Sequence, residues 1–267
     1  DAILAGGDLV ASLAGKTVTG RRLNAPGTLE WLRQNRPSVP ALPLYTAVTQ
    51  SATNLQIGGA GVGVVVDNAD DTPAAFNLGT DTFTFMGTSY TGSGSLWVSP
   101  NGLLSFGSGV SEYQNGNLSG AVTVPAIAVY WDDLLTNRTA SDAVLAKRVD
   151  ANGDGVFDQL IVEWSDVSSY ANPNATGTFQ AVLQLNTGSV DGTITLNYLD
   201  VDFGSAAISN GASATVGVSA GADPRVPLVV VTKQSAGPDC ERPVVPGRPD
   251  AAHGGVRGHS PRAGRGG

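Results

Sequence analysis

Between residues 80 and 200, apolar and polar side chains alternate with a period of two. In DTFTFMG, Phe83 and Phe85 face one way and the threonines the other. QLIVEW sets Leu160, Val162 and Trp164 on one side. TFQAVLQLN sets Phe179, Ala181, Leu183 and Leu185 against Gln180 and Gln184, and TITLNYL repeats the arrangement with Ile194, Leu196 and Tyr198. Successive side chains of a strand point to opposite faces, so these runs predict antiparallel sheets with one covered face and one polar face. Asn101-Gly102, Asn115-Gly116 and Asp191-Gly192 supply the turns. The expected fold is mainly β, an antiparallel β-sandwich of roughly eight to twelve strands.

The alternation is bounded on both sides. Residues 1–32 read as a short helical stub: Ala2-Ile3-Leu4 as a last helical turn stopped by Gly6-Gly7, then a loop, then a turn of helix over 28–32. RQNRPSVPALP makes 33–44 a Pro-rich linker, too rich in proline for helix or central strand. The β zone is expected over 45–235. From 236 to 267 apolar content nearly vanishes after Val245, and the Gly/Arg/Pro-rich composition predicts a disordered tail.

Composition narrows the function classes. Glycine is abundant at 35 residues and only 14% of residues are charged, which suits a turn-rich extracellular β protein. A net charge of -8 argues against a nucleic-acid partner, which calls for a basic footprint. The tail 241–267 holds five of the fifteen Lys/Arg residues and two of the 23 acidic ones, so the remainder opposes 10 basic to 21 acidic residues, a charge of -11. Such a body suits cations and solubility. The single Cys240 excludes an intrachain disulfide framework. No apolar run approaches the ~18 residues of a membrane span.

VDANGDGVFDQL is the strongest chemical motif. Asp150, Asn152, Asp154 and Asp158 fall at positions one, three, five and nine of a calcium loop, with Gly155 at six and the Val156 carbonyl at seven. Position twelve is Ile161 rather than a bidentate Glu, and strands flank the loop, so an EF-hand is rejected. A calcium-binding hairpin stands against a plain Asx/Gly turn. Asp132-Asp133 in YWDDL and Asp200 with Asp202 in YLDVD read as strand ends reaching solvent. Ser89 in MGTSY lacks a base, since His253 and His259 lie in the tail. Among Trp31, Trp97, Trp131 and Trp164, Trp164 belongs to the core face, and Trp97 is the candidate for stacking on a sugar.

Two segments carry family resemblances. SLAGKTVTGRRLNA, with Ala2-Ile3-Leu4 before it, resembles the closing segment of the catalytic domain of subtilisin-like serine proteases, with Arg21 in place of a second glycine. That resemblance implies a triad upstream of residue 1 and no catalytic residue within the chain. LWVSPNGLLSFGSG, VPAIAVYWDDL, GVFDQLIVEWSDVSSY and GTFQAVLQLN with ITLNYLDVD resemble, in order, the nidogen-like extracellular domain. It implies a β module that binds rather than reacts. The resulting expectation is the accessory part of a secreted bacterial serine endopeptidase, itself inactive. The alternatives are a free-standing adhesion module with a protein or glycan ligand, and a carbohydrate-binding module.

Overall fold

A computed structural model of the chain describes residues 8–13, 21–22, 25–26, 45–221 apart from 49, 52 and 56, and 229–230. Two units separate by their internal contacts, residues 1–41 and 42–267. In the first, β1 (Asp8–Leu9) pairs antiparallel with β2 (Arg21–Arg22), and a 3-10 turn covers Ala11–Leu13. Arg22 Nε lies 3.2 Å from Asp8 Oδ2 across that ladder. The predicted helical turns at 2–4 and 28–32 lie outside the described residues; between them stand a short two-stranded ladder, its 3-10 turn and helical residues at 25–26.

The second unit begins with β3 (Val62–Asp67), β4 (Ala74–Phe76), β5 (Phe83–Phe85), β6 (Thr88–Tyr90), β7 (Leu96–Val98) and β8 (Leu103–Phe106). A short helix α1 (Leu118–Ala121) precedes β9 (Pro125–Trp131), β10 (Leu134–Leu135) and β11 (Ala143–Val149). The longest strands follow, β12 (Gln159–Ser169) and β13 (Asn172–Gln184), then β14 (Ile194–Asp200), β15 (Thr215–Ala220) and β16 (Val229–Val230). One sheet runs β14-β13-β12-β11-β3, with β10 also on β12; the other runs β16-β15-β9-β8-β7-β4. Every pairing is antiparallel.

The period of two places the core. Leu160, Val162, Trp164, Phe179, Ala181, Leu183 and Tyr198 on one sheet pack with Leu96, Leu104, Phe106, Ile127 and Val129 on the other. Each Leu, Val, Ile or Phe among them taken from water contributes about 1.5–3 kcal/mol. Trp164 and Phe179 are register partners whose rings stack at 5.1 Å. The polar ends of buried aromatics are satisfied across the sandwich: Tyr198 Oη donates to Val129 O at 2.9 Å, and Trp164 Nε1 to Ser99 O at 2.9 Å. These bonds tie the two sheets at fixed points, because an unpaired buried donor is costly.

The expectation of sheets covered on one face only is corrected. Outside the β14–β3 sheet, Ile57 and Leu55 pack on Leu145, Ile161 and Val182. Outside the other sheet, Leu118 and Val122 at α1 pack on Leu103, Ala126, Ala128 and Trp131. Gln180, read as solvent-facing, is 0% exposed. The cause is that Leu145, Ile161 and Val182 give the outer face an apolar stripe of its own, and Leu55 and Ile57 close over it.

Candidate functional site

Three connections meet beside the ends of β11, β12 and β13: residues 77–82, 150–158 and 185–193. Asn186 joins them. Its Nδ2 donates to Phe157 O at 2.9 Å and to Asp81 Oδ1 at 3.3 Å, while Leu185 N donates to Asp158 O at 2.7 Å. The Arg148 guanidinium pairs with Asp81 at 2.9 Å and sits over Phe76 at 5.0 Å and Phe157 at 6.0 Å. Val156, Phe157 and Val190 nevertheless stay 51%, 40% and 68% exposed on the tied loops.

The 150–158 loop joins β11 to β12 as a hairpin connection and folds around its own acids. Asp150 Oδ1 accepts from Gly153 N at 2.6 Å and Asp154 N at 3.2 Å, and its Oδ2 from Gly155 N at 2.8 Å. Asp154 Oδ1 accepts from Val156 N at 2.8 Å, and Asp158 Oδ2 from Ala151 N at 2.7 Å. Asn152 Nδ2 reaches Asp154 Oδ2 at 3.2 Å and Asp158 Oδ1 at 3.4 Å. These backbone donors, Gly155 first, hold the Asp150 carboxyl below the usual carboxylate range. The five predicted positions therefore sit on one loop, built by backbone bonds to carboxylates.

The closest gathering of acids lies elsewhere. Among the described residues, Asp70, Asp71 and Asp133 are the group of three acids whose oxygens all lie within 4.8 Å of one another. Asp133 is pushed up to about 6, by burial first and then by the charges of Asp71, Asp70 and Asp132. Asn101, itself 0% exposed, supports the corner. Its Nδ2 donates to Asp71 Oδ1 at 2.9 Å, and its Oδ1 accepts from Leu134 N at 2.9 Å. YWDDL is visible in the sequence, but its partners Asp70 and Asp71 arrive from a connection more than sixty residues upstream, a proximity that no local pattern encodes.

The remaining candidates fall into structural roles. Ser89 is exposed on β6, and its Oγ lies 2.9 Å from Thr84 Oγ1; both histidines lie outside the described residues. Trp131 and Trp164 are 0% exposed, Trp31 lies outside the described residues, and half-buried Trp97 donates Nε1 to Gly94 O at 2.9 Å. Asp202 Oδ1 accepts from Ser209 Oγ at 2.7 Å and Gly204 N at 3.0 Å, which together hold its carboxyl low. No helix among the described residues is long and apolar enough to cross a membrane.

Two antiparallel sheets with a side-chain-filled interior, presenting loops at their edges, define a β-sandwich module. A family model described as NIDO related matches residues 44–242, and the chain belongs to that family. No curated protein and no solved structure matches it.

Proposed function

We propose that this chain is an extracellular, non-enzymatic binding module that engages a protein partner through the loops joined at Asn186. One observation carries the reading: Val156, Phe157 and Val190 remain exposed on connections that are otherwise rigidly bonded. Large apolar side chains held at fixed positions in water favour an interaction site. Asp150, Asp154, Asp158 and Asp191 surround them in the same two connections, so the fitting partner offers basic groups around an apolar centre. The family membership over 44–242 supports a module of this type.

The test is binding of purified 1–267 to immobilised extracellular matrix proteins and to polysaccharide gels, repeated with Phe157→Ser and Val190→Ser. Retention on a protein surface that both substitutions weaken supports the reading. Retention on polysaccharide lost with Trp97→Ala, or protein retention indifferent to both loop substitutions, overturns it. Hydrolysis of casein abolished by a serine-directed inhibitor would show an enzyme instead.

Two finer readings belong to the proposal. The resemblance of SLAGKTVTGRRLNA to the end of a subtilisin-like catalytic domain makes the module an accessory to a secreted protease, which the upstream coding sequence tests directly. Calcium at Asp150, Asn152, Asp154, Val156 and Asp158 rests on the residue spacing and on oxygens gathered in one loop.

A further inference from the structure

Glu163 on β12, Gln180 on β13 and Asn197 on β14 are successive register partners, forming a polar row across the outer face of one sheet. All three are buried, with Glu163 and Gln180 at 0% exposure. What lies over them is the chain's own Thr53 and Leu55, with Ile57 beyond. Gln180 grips its backbone on both sides, donating Nε2 to Leu55 O at 2.9 Å and accepting from Leu55 N at 3.4 Å. Thr53 N donates to Asn197 Oδ1 at 3.4 Å. The same Gln180 Nε2 donates to Glu163 Oε2 at 2.6 Å, and the Ser165 side chain is the other hydrogen-bonding group beside the carboxyl.

The chain is also anchored on either side of these residues. Tyr45 Oη donates to Gly192 O at 2.9 Å and its ring meets Phe85 at 5.5 Å. Gly58 O accepts from Lys147 Nζ at 2.9 Å, ahead of Gly59 and Gly61 in left-handed conformations. The centre, by contrast, is held by side-chain bonds to the polar row and by Leu55 and Ile57 on apolar neighbours.

We propose that Thr53, Asn54, Leu55 and Ile57 belong to a strap gated by protonation: ionisation of the Glu163 carboxyl, joined to Leu55 through Gln180, lifts the strap and uncovers the apolar stripe of Leu145, Ile161 and Val182. A protonated Glu163 tolerates the dry site. An ionised one is a full charge in a place water does not reach, with only the neutral Gln180 and Ser165 side chains as hydrogen-bonding neighbours, and hydrating it means moving the strap. No opposite charge relieves it. Lys147 on β11 is bonded to Gly58 O, Asp166 on β12 adds a like charge, and β13, β14 and the strap present Gln180, Asn197, Thr53 and Asn54. Burial above all pushes Glu163 from 4.5 up to about 7, with Asp166 raising it further and the side chains of Gln180 and Ser165 pulling it back in part.

The sign follows from proton linkage. The closed form keeps the proton to higher pH than the open form, so closure is fully favoured at low pH and weakens as pH rises from about 4.5 toward 7, levelling off beyond.

The experiment is amide hydrogen exchange of full-length 1–267 across about pH 5 to 8, expressed as protection factors for Leu55 and normalised to Val129 in the core. Protection of Leu55 falls by up to about tenfold per pH unit to pH 7 in the wild type and stays flat in Glu163→Gln. Flat protection in the wild type, or the same fall in Glu163→Gln, overturns the proposal. If that variant does not fold, the carbon-13 shift of the Glu163 carboxyl in the wild type decides: titration together with strap protection supports gating, and titration at the ordinary carboxylate value overturns it.

Discussion

Asn186 and Thr82 exchange two hydrogen bonds: Asn186 N donates to Thr82 O at 2.8 Å, and Thr82 N donates to Asn186 Oδ1 at 2.9 Å. They come from connections 104 residues apart, so one side chain fixes the spacing of the exposed loop tips. Asn186 also has φ 57°, a conformation that asparagine tolerates better than most residues. Asn186→Ala removes the side-chain bonds and strains the backbone, with an expected loss of about 2–3 kcal/mol in urea denaturation. Asn186→Gly restores the conformational freedom but not the bonds, and recovers about 1 kcal/mol of that loss.

Gly102 and Gly153 test how much a turn depends on its surroundings. Both have φ 78°. A Cβ on Gly102 would meet Tyr130 O at 2.1 Å, whereas one on Gly153 would meet nothing within 4 Å. Gly102→Ala therefore forces β9 away from the β8 turn and costs more than about 4 kcal/mol or prevents folding, while Gly153→Ala costs about 1 kcal/mol. Thermal denaturation of the pair measures the difference. Equal losses would show that backbone conformation alone, and not the approach of Tyr130, sets the need for glycine.

The same corner shows what the sequence makes legible. Local alternation suffices for Leu160, Val162, Trp164, Phe179, Ala181 and Leu183, because a strand's face is decided by residues two apart. The Asn101-Gly102 turn is visible for the same reason. What Asn101 does is not, since its side chain serves Leu134 N and Asp71 Oδ1, one on each side of it in sequence and both distant. The burial of Glu163 and Gln180 is hidden in another way. Their polarity correctly marks the outer face, but the cover over that face comes from Leu55 and Ile57 in a stretch too irregular to show an alternating pattern. The candidate loop 150–158 is legible as a turn because its bonds are local; its tie to Asn186 is not.

The acid corner predicts a pH effect of opposite sense to ordinary acid denaturation. Asp133 keeps its proton to about 6, above its usual 3.8, so folding takes up a proton between those values. Its contribution to stability is fully present below about 3.8 and declines as pH rises to 6. Burial is the larger cause, so removing one neighbouring charge lessens the decline without abolishing it. Asp70→Asn raises stability above pH 6 by about 1 kcal/mol after allowance for solvent screening, and has little effect near pH 4. Urea denaturation at the two pH values checks this; an equal effect at both would mean that Asp70 acts by something other than its charge.

Calcium at the 150–158 loop is tested with a substitution that spares the loop's shape. Asp150 is unsuited, because its carboxylate accepts from three backbone amides and its loss would disturb the turn itself. Asp154 Oδ1 accepts one backbone bond, from Val156 N, which an asparagine oxygen can replace; the Asn152 Nδ2 bond to Asp154 Oδ2 is lost, but Asn152 Nδ2 keeps Asp158 Oδ1 at 3.4 Å. Fewer charged ligands mean weaker calcium binding, so Asp154→Asn is expected to lower affinity by about tenfold while leaving the calcium-free melting temperature nearly unchanged. Asp133→Asn serves as the control, since Asp133 belongs to the other acidic group. Calorimetric titration of the three proteins separates the cases. Heat weakened by Asp154→Asn alone places the ion in the hairpin, heat weakened by Asp133→Asn alone places it at the acid corner, and no heat in the wild type removes calcium from the proposal.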